Sequence, residues 1–271
     1  MMQMGFSGGL VEIPMFKHMV LNSLRSYKQK FGSKYGELVI ATDTGTSWRK
    51  AYFPYYKANR KKDRDESSLD WESIFKGLNE IRFDLRNYFP YRIIEVEGAE
   101  ADDIIGTLCF EFGSKFPGSS PILILSGDKD FKQLQSFLNV EQYDPVRNKK
   151  VVENNPSDFL IEHIISGDRS DGVPNILSED NCLVLGTRQG TMSKKRMSEF
   201  KRQSKDFFED ERIIRNWNRN CMLIDLSCTP VTLKHEILKQ YHEQKGKNKD
   251  KVFNYLMKNR MKHLMEYIGE F

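Results

Sequence analysis

The chain has 271 residues, enough for one large core or two domains, and its 39% hydrophobic and 30% charged content reads as a globular protein with a heavily charged surface. No apolar run approaches the ~18 residues of a membrane span and Met1 to Met15 has no basic leader, so a cytoplasmic protein without a membrane anchor is expected. The net charge of +4 is modest, but acids collect after apolar runs while bases collect from Arg49 to Arg64 and near the C-terminus.

In chain order, Phe16, Met19, Val20, Leu24, Tyr27 and Phe31 recur at helical spacing after Pro14, with Gly32 as the expected stop. Glu37 to Ala41 predicts a strand. Trp48 to Ser68 is polar, basic and aromatic without a burying period, which predicts an irregular or mobile segment. Asp70 is a candidate cap for a helix whose Ile74, Phe75, Leu78, Ile81, Leu85 and Tyr88 share one face before Pro90. Strand Arg92 to Val96, a helix from Ala99 to Phe112, strand Ile122 to Leu125 and a helix from Phe131 follow. Such alternation predicts an α/β fold with a mostly parallel sheet flanked by helices.

After Asn139 to Tyr143 and the turn Asp144-Pro145, the pattern becomes helical: Asp158 to Ile165, Lys194 to Lys201, Asp210 to Met222, Val231 to His242 and Val252 to Ile268. A boundary near Asn155 is expected between a first region, 1–155, and a helical region, 156–271. The tract Gly246 to Lys251 reads as an exposed loop. Cys109, Cys182, Cys221 and Cys228 form no CxxC pair and read as buried thiols in a reducing compartment. The five histidines show no metal spacing, so no chemistry is assigned to them.

Three apolar runs end at acids: Asp43, then Glu100, Asp102 and Asp103, then Asp128 and Asp130. In a parallel sheet the carboxyl ends of the strands share one edge, where acids from separate strands converge. Each acid alone is an ordinary cap or turn residue. Together with Asp168 and Asp171, in Ser166 to Pro174, they exceed what capping needs. Glu100 and Asp103 share a face in the first turn of their helix, with Asp102 beside them. Packed carboxylates require protons or cations, and oxygen-only ligands favour Mg²⁺, with Mn²⁺ as a substitute. Two such ions would suit phosphodiester hydrolysis better than a metal-free acid and base pair.

The basic segment interleaves Arg49, Lys50, Lys57, Arg60, Lys61, Lys62 and Arg64 with Trp48, Tyr52, Phe53, Tyr55 and Tyr56. Cations bind phosphates and aromatic faces accept unstacked bases, so the mixture suits single-stranded or frayed nucleic acid. Arg49 and Lys57 are the candidates for phosphate steering or transition-state charge. Lys247 to Lys262 reads equally as an extended phosphate track or a solvated face.

These motifs together resemble the 5′-nuclease (flap endonuclease) family, nearest its tailed-bacteriophage ribonuclease H members. Tyr56 to Arg60 matches its Tyr-Lys-x-Asn-Arg arch, Glu100 to Asp103 its Glu-Ala-x-Asp, Ser126 to Leu134 its Ser-x-Asp-x-Asp-Phe-x-Gln-Leu, and Gly167 to Asp171 its Gly-Asp-x-Ser-Asp. The resemblance implies a PIN-like, resolvase-like catalytic core with an arch at 48–68. It also implies a helix-turn-helix near 158–190 that grips duplex DNA, with Gly172 and Val173 at the backbone contact. Asp43, Glu100, Asp102 and Asp128 are implied for one ion, Asp130 and Asp171 for a second, and Asp103 and Asp168 as outer ligands. A monomer acting on branched or flapped DNA and RNA-DNA hybrid is implied, with a phage single-strand-binding protein and sliding clamp as partners.

Two departures stand out. Gly186 to Gly190 replaces the usual Gly-x-Gly run. Members also open with a central strand ending in Asp, whereas this chain begins MMQMGFSGGLVEIP and no Asp precedes Asp43, so that strand and ligand are expected to be absent. A branched-DNA-binding protein that has lost catalysis, and a small metal-dependent toxin ribonuclease, are the other readings.

Overall fold

Helix α1, Ile13–Tyr35, runs through the expected stop at Gly32 and ends at Gly36, whose φ of 78° is open to glycine and whose N–H caps the Gly32 carbonyl. The structure is a computed structural model describing residues 12–202, 210–247 and 249–271, without the side chains of 61–63. The expectation about an opening strand concerns residues 1–11, which lie outside the described residues.

After α1 come β1 (Val39–Ala41), α2 (Trp48–Tyr52), α3 (Arg60–Asp65), α4 (Trp71–Tyr88) and β2 (Arg92–Ile94). Next are α5 (Ala101–Phe112), β3 (Ile122–Leu125), a 3₁₀ segment (Lys129–Ser136), β4 (Val140–Asp144) and β5 (Lys149–Val151). The helical half holds α6 (Pro156–Ser166), α7 (Cys182–Leu185), α8 (Lys194–Arg202), α9 (Glu211–Ile224), α10 (Val231–Glu243), α11 (Val252–Lys258) and α12 (Lys262–Met265).

Strands β1 and β2 pair in parallel, as do β3 and β4, while β5 adds an antiparallel edge. Among the described residues these form two separate sheets. The β4–β5 hairpin was missed in the sequence because Lys149 to Val151 carries little apolar signal. Its turn is held by Asp144, which accepts from the N–H groups of Val146 and Arg147 at 2.9 and 3.0 Å.

The expected helix Val252 to Ile268 is broken. Arg260 has φ of 56°, which splits α11 from α12 and lets Phe271 tuck into the core with no exposure. The expected irregular segment also has more order than its sequence pattern suggests. Ser47 caps α2 through the Arg49 N–H, and Phe53 and Tyr56 pack with Ile164, Val173, Leu223 and Ile224.

Each of four apolar clusters draws residues from both sides of Asn155, so the α/β half and the helical half share their cores. Phe16, Ile81 and Ile93 meet Leu256 and Leu264, and Ile94 and Ile104 meet Ile237. Leu226 joins Cys109 and Phe131. None of the four cysteines is in a disulfide, and Cys109 and Cys182 are buried while the others are partly so. No helix among the described residues is long and apolar enough to cross a membrane.

Candidate metal centre

The turn after β1 places Asp43 at the N-terminus of α5, where its Oδ1 accepts from the Ala101 N–H at 2.6 Å. Glu100 is the N-cap of the same helix, so two expected acids meet where the helix dipole favours negative charge. The turn after β3 brings Asp128, whose Oδ1 accepts from the Asp130 N–H at 3.0 Å. Asp102 joins the two groups: it feels the charges of Glu100 on one side and of Asp128 and Asp130 on the other.

Cations thread these acids. Lys57 reaches Glu100 at 2.7 Å and Asp171 at 3.5 Å, and Arg60 reaches Asp171 at 2.8 Å. The Tyr56 hydroxyl lies 2.8 Å from Glu100 and 3.0 Å from Asp171, and burial together with those two carboxylates holds its proton far above the usual phenol range. On the other flank Lys129 contacts Asp168 at 2.9 Å.

The electrostatics separate acids that are already satisfied from acids that are not. Burial would raise Asp103, but Arg49, the Glu100 N–H and Thr229 outweigh it and hold the carboxyl below its usual range. Burial would also raise Asp168, and hydrogen bonds from His163, Lys129 and Ser170 overcome it in the same way. Asp102 goes the other way. Although part of its surface still meets solvent, enclosure by protein atoms and the charges of Asp128, Asp130 and Glu100 push it up to about 8. Asp130 is pushed up to about 6 by burial, opposed by His163, with Asp128 and Asp168 adding to the rise. A carboxylate cluster that holds protons at neutral pH, with a buried Asp130 oxygen lacking any hydrogen-bond partner, fits a hard divalent ion.

Several expected site residues are placed differently. Asp103 has no exposure: its oxygens are taken by Arg49 at 2.9 Å, Thr229 at 2.8 Å and the Trp48 indole at 3.2 Å, leaving no face for an ion. Arg49 is only 2% exposed and also donates to the Leu223 carbonyl at 2.9 Å, so it cannot reach a phosphate without leaving the core. It positions Glu100 and Asp103 instead.

The aromatic interleaving that suggested base stacking is largely packing: Phe53 and Tyr56 are buried and Trp48 is half-buried, while Tyr52 remains exposed. Gly172 and Val173 are buried, and their N–H groups are spent within the turn on the Arg169 and Asp168 carbonyls. Gly172 is required there, because a Cβ on its φ of 73° would lie 2.7 Å from the Tyr55 carbonyl oxygen. That close approach seats the acidic turn against the arch, where the Lys57 N–H donates to the Asp171 carbonyl at 2.8 Å.

Lys50, Arg60 and Arg169 remain exposed, and Lys57, Arg60, Arg169 and Leu183 line a cavity of about 440 Å³ between arch and turn. Lys61 and Lys62 lie on α3, and their side chains are outside what is described. In the expected helix-turn-helix the second helix, α7, is a single turn.

A residue missed in the sequence completes the cluster. His163, on the last turn of α6, donates from Nε2 to Asp168 Oδ2 at 3.1 Å, while its Nδ1 lies 3.5 Å from Asp130 Oδ1. Its signal was position rather than spacing, since α6 runs directly into Gly167-Asp168.

A family profile described as the N-terminal resolvase-like domain of 5′-3′ exonucleases matches residues 11–160, more than half of the chain. The chain belongs to the 5′-3′ exonuclease family. Residues 156–271 match a second profile, the C-terminal region of T4 RNase H. The chain is similar to Ribonuclease H of Enterobacteria phage T4, with 29% identity over 96% of this chain and 88% of that protein. It is also similar to a 5′-3′ exonuclease of Buchnera aphidicola from Schizaphis graminum, with 28% identity over 51% of this chain and 47% of that protein.

Among solved structures, a complex of the T5 D15 flap endonuclease with DNA and metal ions superposes with a TM-score of 0.61 at 17% identity, covering 82% of this chain and 90% of its own. The T5 D15 protein co-crystallized with metal ions gives 0.59 at 18% identity, covering 86% and 94%. The expected resolvase-like α/β core with a helical C-terminal region is therefore the observed fold, and family membership makes the chain a nuclease.

Proposed function

We propose that this chain is a Mg²⁺-dependent, structure-specific 5′ nuclease that cuts DNA flaps and RNA primers, with branched or flapped DNA and RNA-DNA hybrid as substrates. One observation carries the reading. Acids from the segments after β1, β2 and β3 converge at the N-terminus of α5, where Asp43 and Glu100 meet and where burial with the charges of Asp128, Asp130 and Glu100 pushes Asp102 up to about 8. Lys57 and Tyr56 link Glu100 to Asp171 of the turn after α6.

In this reading Asp43, Glu100, Asp102 and Asp128 serve one ion, and Asp130 and Asp171 a second. Two divalent ions bound there supply an activated water and charge stabilisation for the leaving oxygen. Asp103 and Arg49 hold Glu100 in place. Lys57 is close enough to the carboxylates to meet a phosphate that approaches them, and Lys50, Arg60 and Arg169 extend a positive border toward the arch. The chain acts as a monomer during phage DNA replication in the cytoplasm of the infected cell, in company with a single-strand-binding protein and a sliding clamp.

The test is cleavage of a 5′-flap and of an RNA-primed duplex with and without Mg²⁺. Cleavage that needs the ion and disappears in Asp128→Asn and Asp130→Asn supports the assignment; undiminished cleavage in both variants refutes it. Salt-sensitive binding to branched DNA, with no turnover in Mg²⁺ or Mn²⁺, would instead establish a member that binds without cutting.

A further inference from the structure

The environment of His163 is that of a metal ligand rather than of a core histidine. Its side chain is 6% exposed, and Nε2 pairs with Asp168 Oδ2 at 3.1 Å. Asp168 is in turn fixed by Lys129 at 2.9 Å and by the Ser170 N–H at 2.8 Å. A carboxylate so placed accepts a hydrogen bond from Nε2–H, which keeps the proton on Nε2 and leaves Nδ1 with its lone pair. Nδ1 is buried without a hydrogen-bond partner, and so is the atom it faces, Asp130 Oδ1.

Their separation of 3.5 Å is too long for a hydrogen bond, and two lone pairs facing each other repel. It is, however, the spacing of two donors on one ion: bonds of ~2.1 Å at a tetrahedral angle put the donor atoms ~3.4 Å apart. Donor atoms of Asp130, His163 and Asp168 all fall within 4.8 Å of one another.

We propose that His163 Nδ1 is a direct ligand of a divalent ion shared with Asp130, and that Asp168 is the outer carboxylate that orients the ring. The arrangement has the carboxylate–imidazole–metal order in which the outer acid fixes tautomer and raises ligand basicity. One consequence is chemical. Imidazole nitrogen prefers borderline ions, so this seat takes Co²⁺ or Zn²⁺ more strongly relative to Mg²⁺ than an all-carboxylate seat does. The inference rests on the metal-dependent reading above and adds a ligand to it.

The decisive measurement is electron spin-echo envelope modulation of Mn²⁺ bound to the full chain, prepared with natural and with ¹⁵N-labelled histidine. Nitrogen modulation that changes with the label and vanishes in His163→Gln is the expected result. If that variant does not fold, a variant with glutamine at His18, His235, His242 and His263 retains only His163 and should keep the signal.

Titration with Co²⁺ alone should show a ~10- to 100-fold loss of affinity at one seat in His163→Gln, with Mg²⁺ affinity changed less than about threefold. Bound Mn²⁺ without nitrogen modulation, in a protein that still cleaves flaps with Mg²⁺, overturns the His163 assignment and leaves the nuclease reading standing. Failure to bind any divalent ion, with no cleavage, overturns both.

Discussion

Lowering the pH from 8 to 6 should weaken the joint loading of two divalent ions about a hundredfold. The magnitude follows from two acids that must both be ionised, Asp102, pushed up to about 8, and Asp130, pushed up to about 6. At pH 7 about nine-tenths of Asp102 and about one-tenth of Asp130 carry a proton, so loading releases about one proton. Mg²⁺ titration calorimetry in two buffers of different ionisation enthalpy measures that number directly. Release should fall to about 0.1 in Asp102→Asn.

The same shifts fix a stability trend for the ion-free protein. Both carboxyls have folded values above the unfolded value near 4, so the fold holds protons that the unfolded chain has lost, and stability declines as pH rises toward the folded values. For Asp102 the loss between pH 6 and 8 is at most ~2.5 kcal/mol, or a fall in Tm of ~5 to 10 °C. Saturating Mg²⁺ should remove the decline. Proton release near zero at pH 7, or ion affinity that is flat from pH 6 to 8, would refute the account of Asp102.

Arg49→Met leaves Asp103 charged with no exposure and no cationic partner, which should cost ~3 to 5 kcal/mol in urea unfolding; a loss below ~1 kcal/mol would show that the pair is not buried as described. Exposed Lys50 should act only through phosphates: Lys50→Ala should lower the slope of log affinity against log salt for flap DNA in Ca²⁺ by ~0.7 to 0.9, without changing Tm, and an unchanged slope removes it from the interface.

The strand-end acids were legible because parallel pairing of β1 with β2 forces their carboxyl ends together and so brings Asp43 to Glu100 and Asp102, whereas Asp128 follows a strand of the second sheet and joins them through Asp102. What was not legible depends on which side of a short element faces the core. Trp48 to Tyr56 has one composition, but Ser47 starts a helix there, and the resulting turn sends Phe53 and Tyr56 inward while Tyr52 stays outside. Arg49 and Asp103 mislead for the same reason. A charged residue next to an active-site motif reads as chemistry, whereas these two neutralise each other at 2.9 Å inside the core. His163 pairs with Asp168 just beyond its own helix, but its second ring nitrogen meets Asp130, which reaches it from the turn after β3. Pairings of that kind carry no periodic signal.

Charge balance within the cluster leads to an expected stoichiometry for the proposed ions. Eight carboxylates lie in or beside it: Asp43, Glu100, Asp102, Asp103, Asp128, Asp130, Asp168 and Asp171. Among the described residues, four lysine and arginine side chains touch them: Arg49 on Asp103, Lys57 on Glu100, Arg60 on Asp171 and Lys129 on Asp168. With every acid ionised, four negative charges remain, which is the charge of two divalent ions. One ion would leave two charges uncompensated among partly desolvated groups, and the cheapest remedy is to keep protons on Asp102 and Asp130. Calorimetric titration at pH 8.5 should therefore give two Mg²⁺ per chain, while at pH 6 the second should bind only at much higher concentration. A stoichiometry of one at pH 8.5, with full cleavage activity, would mean that protons rather than a second ion balance the cluster during catalysis.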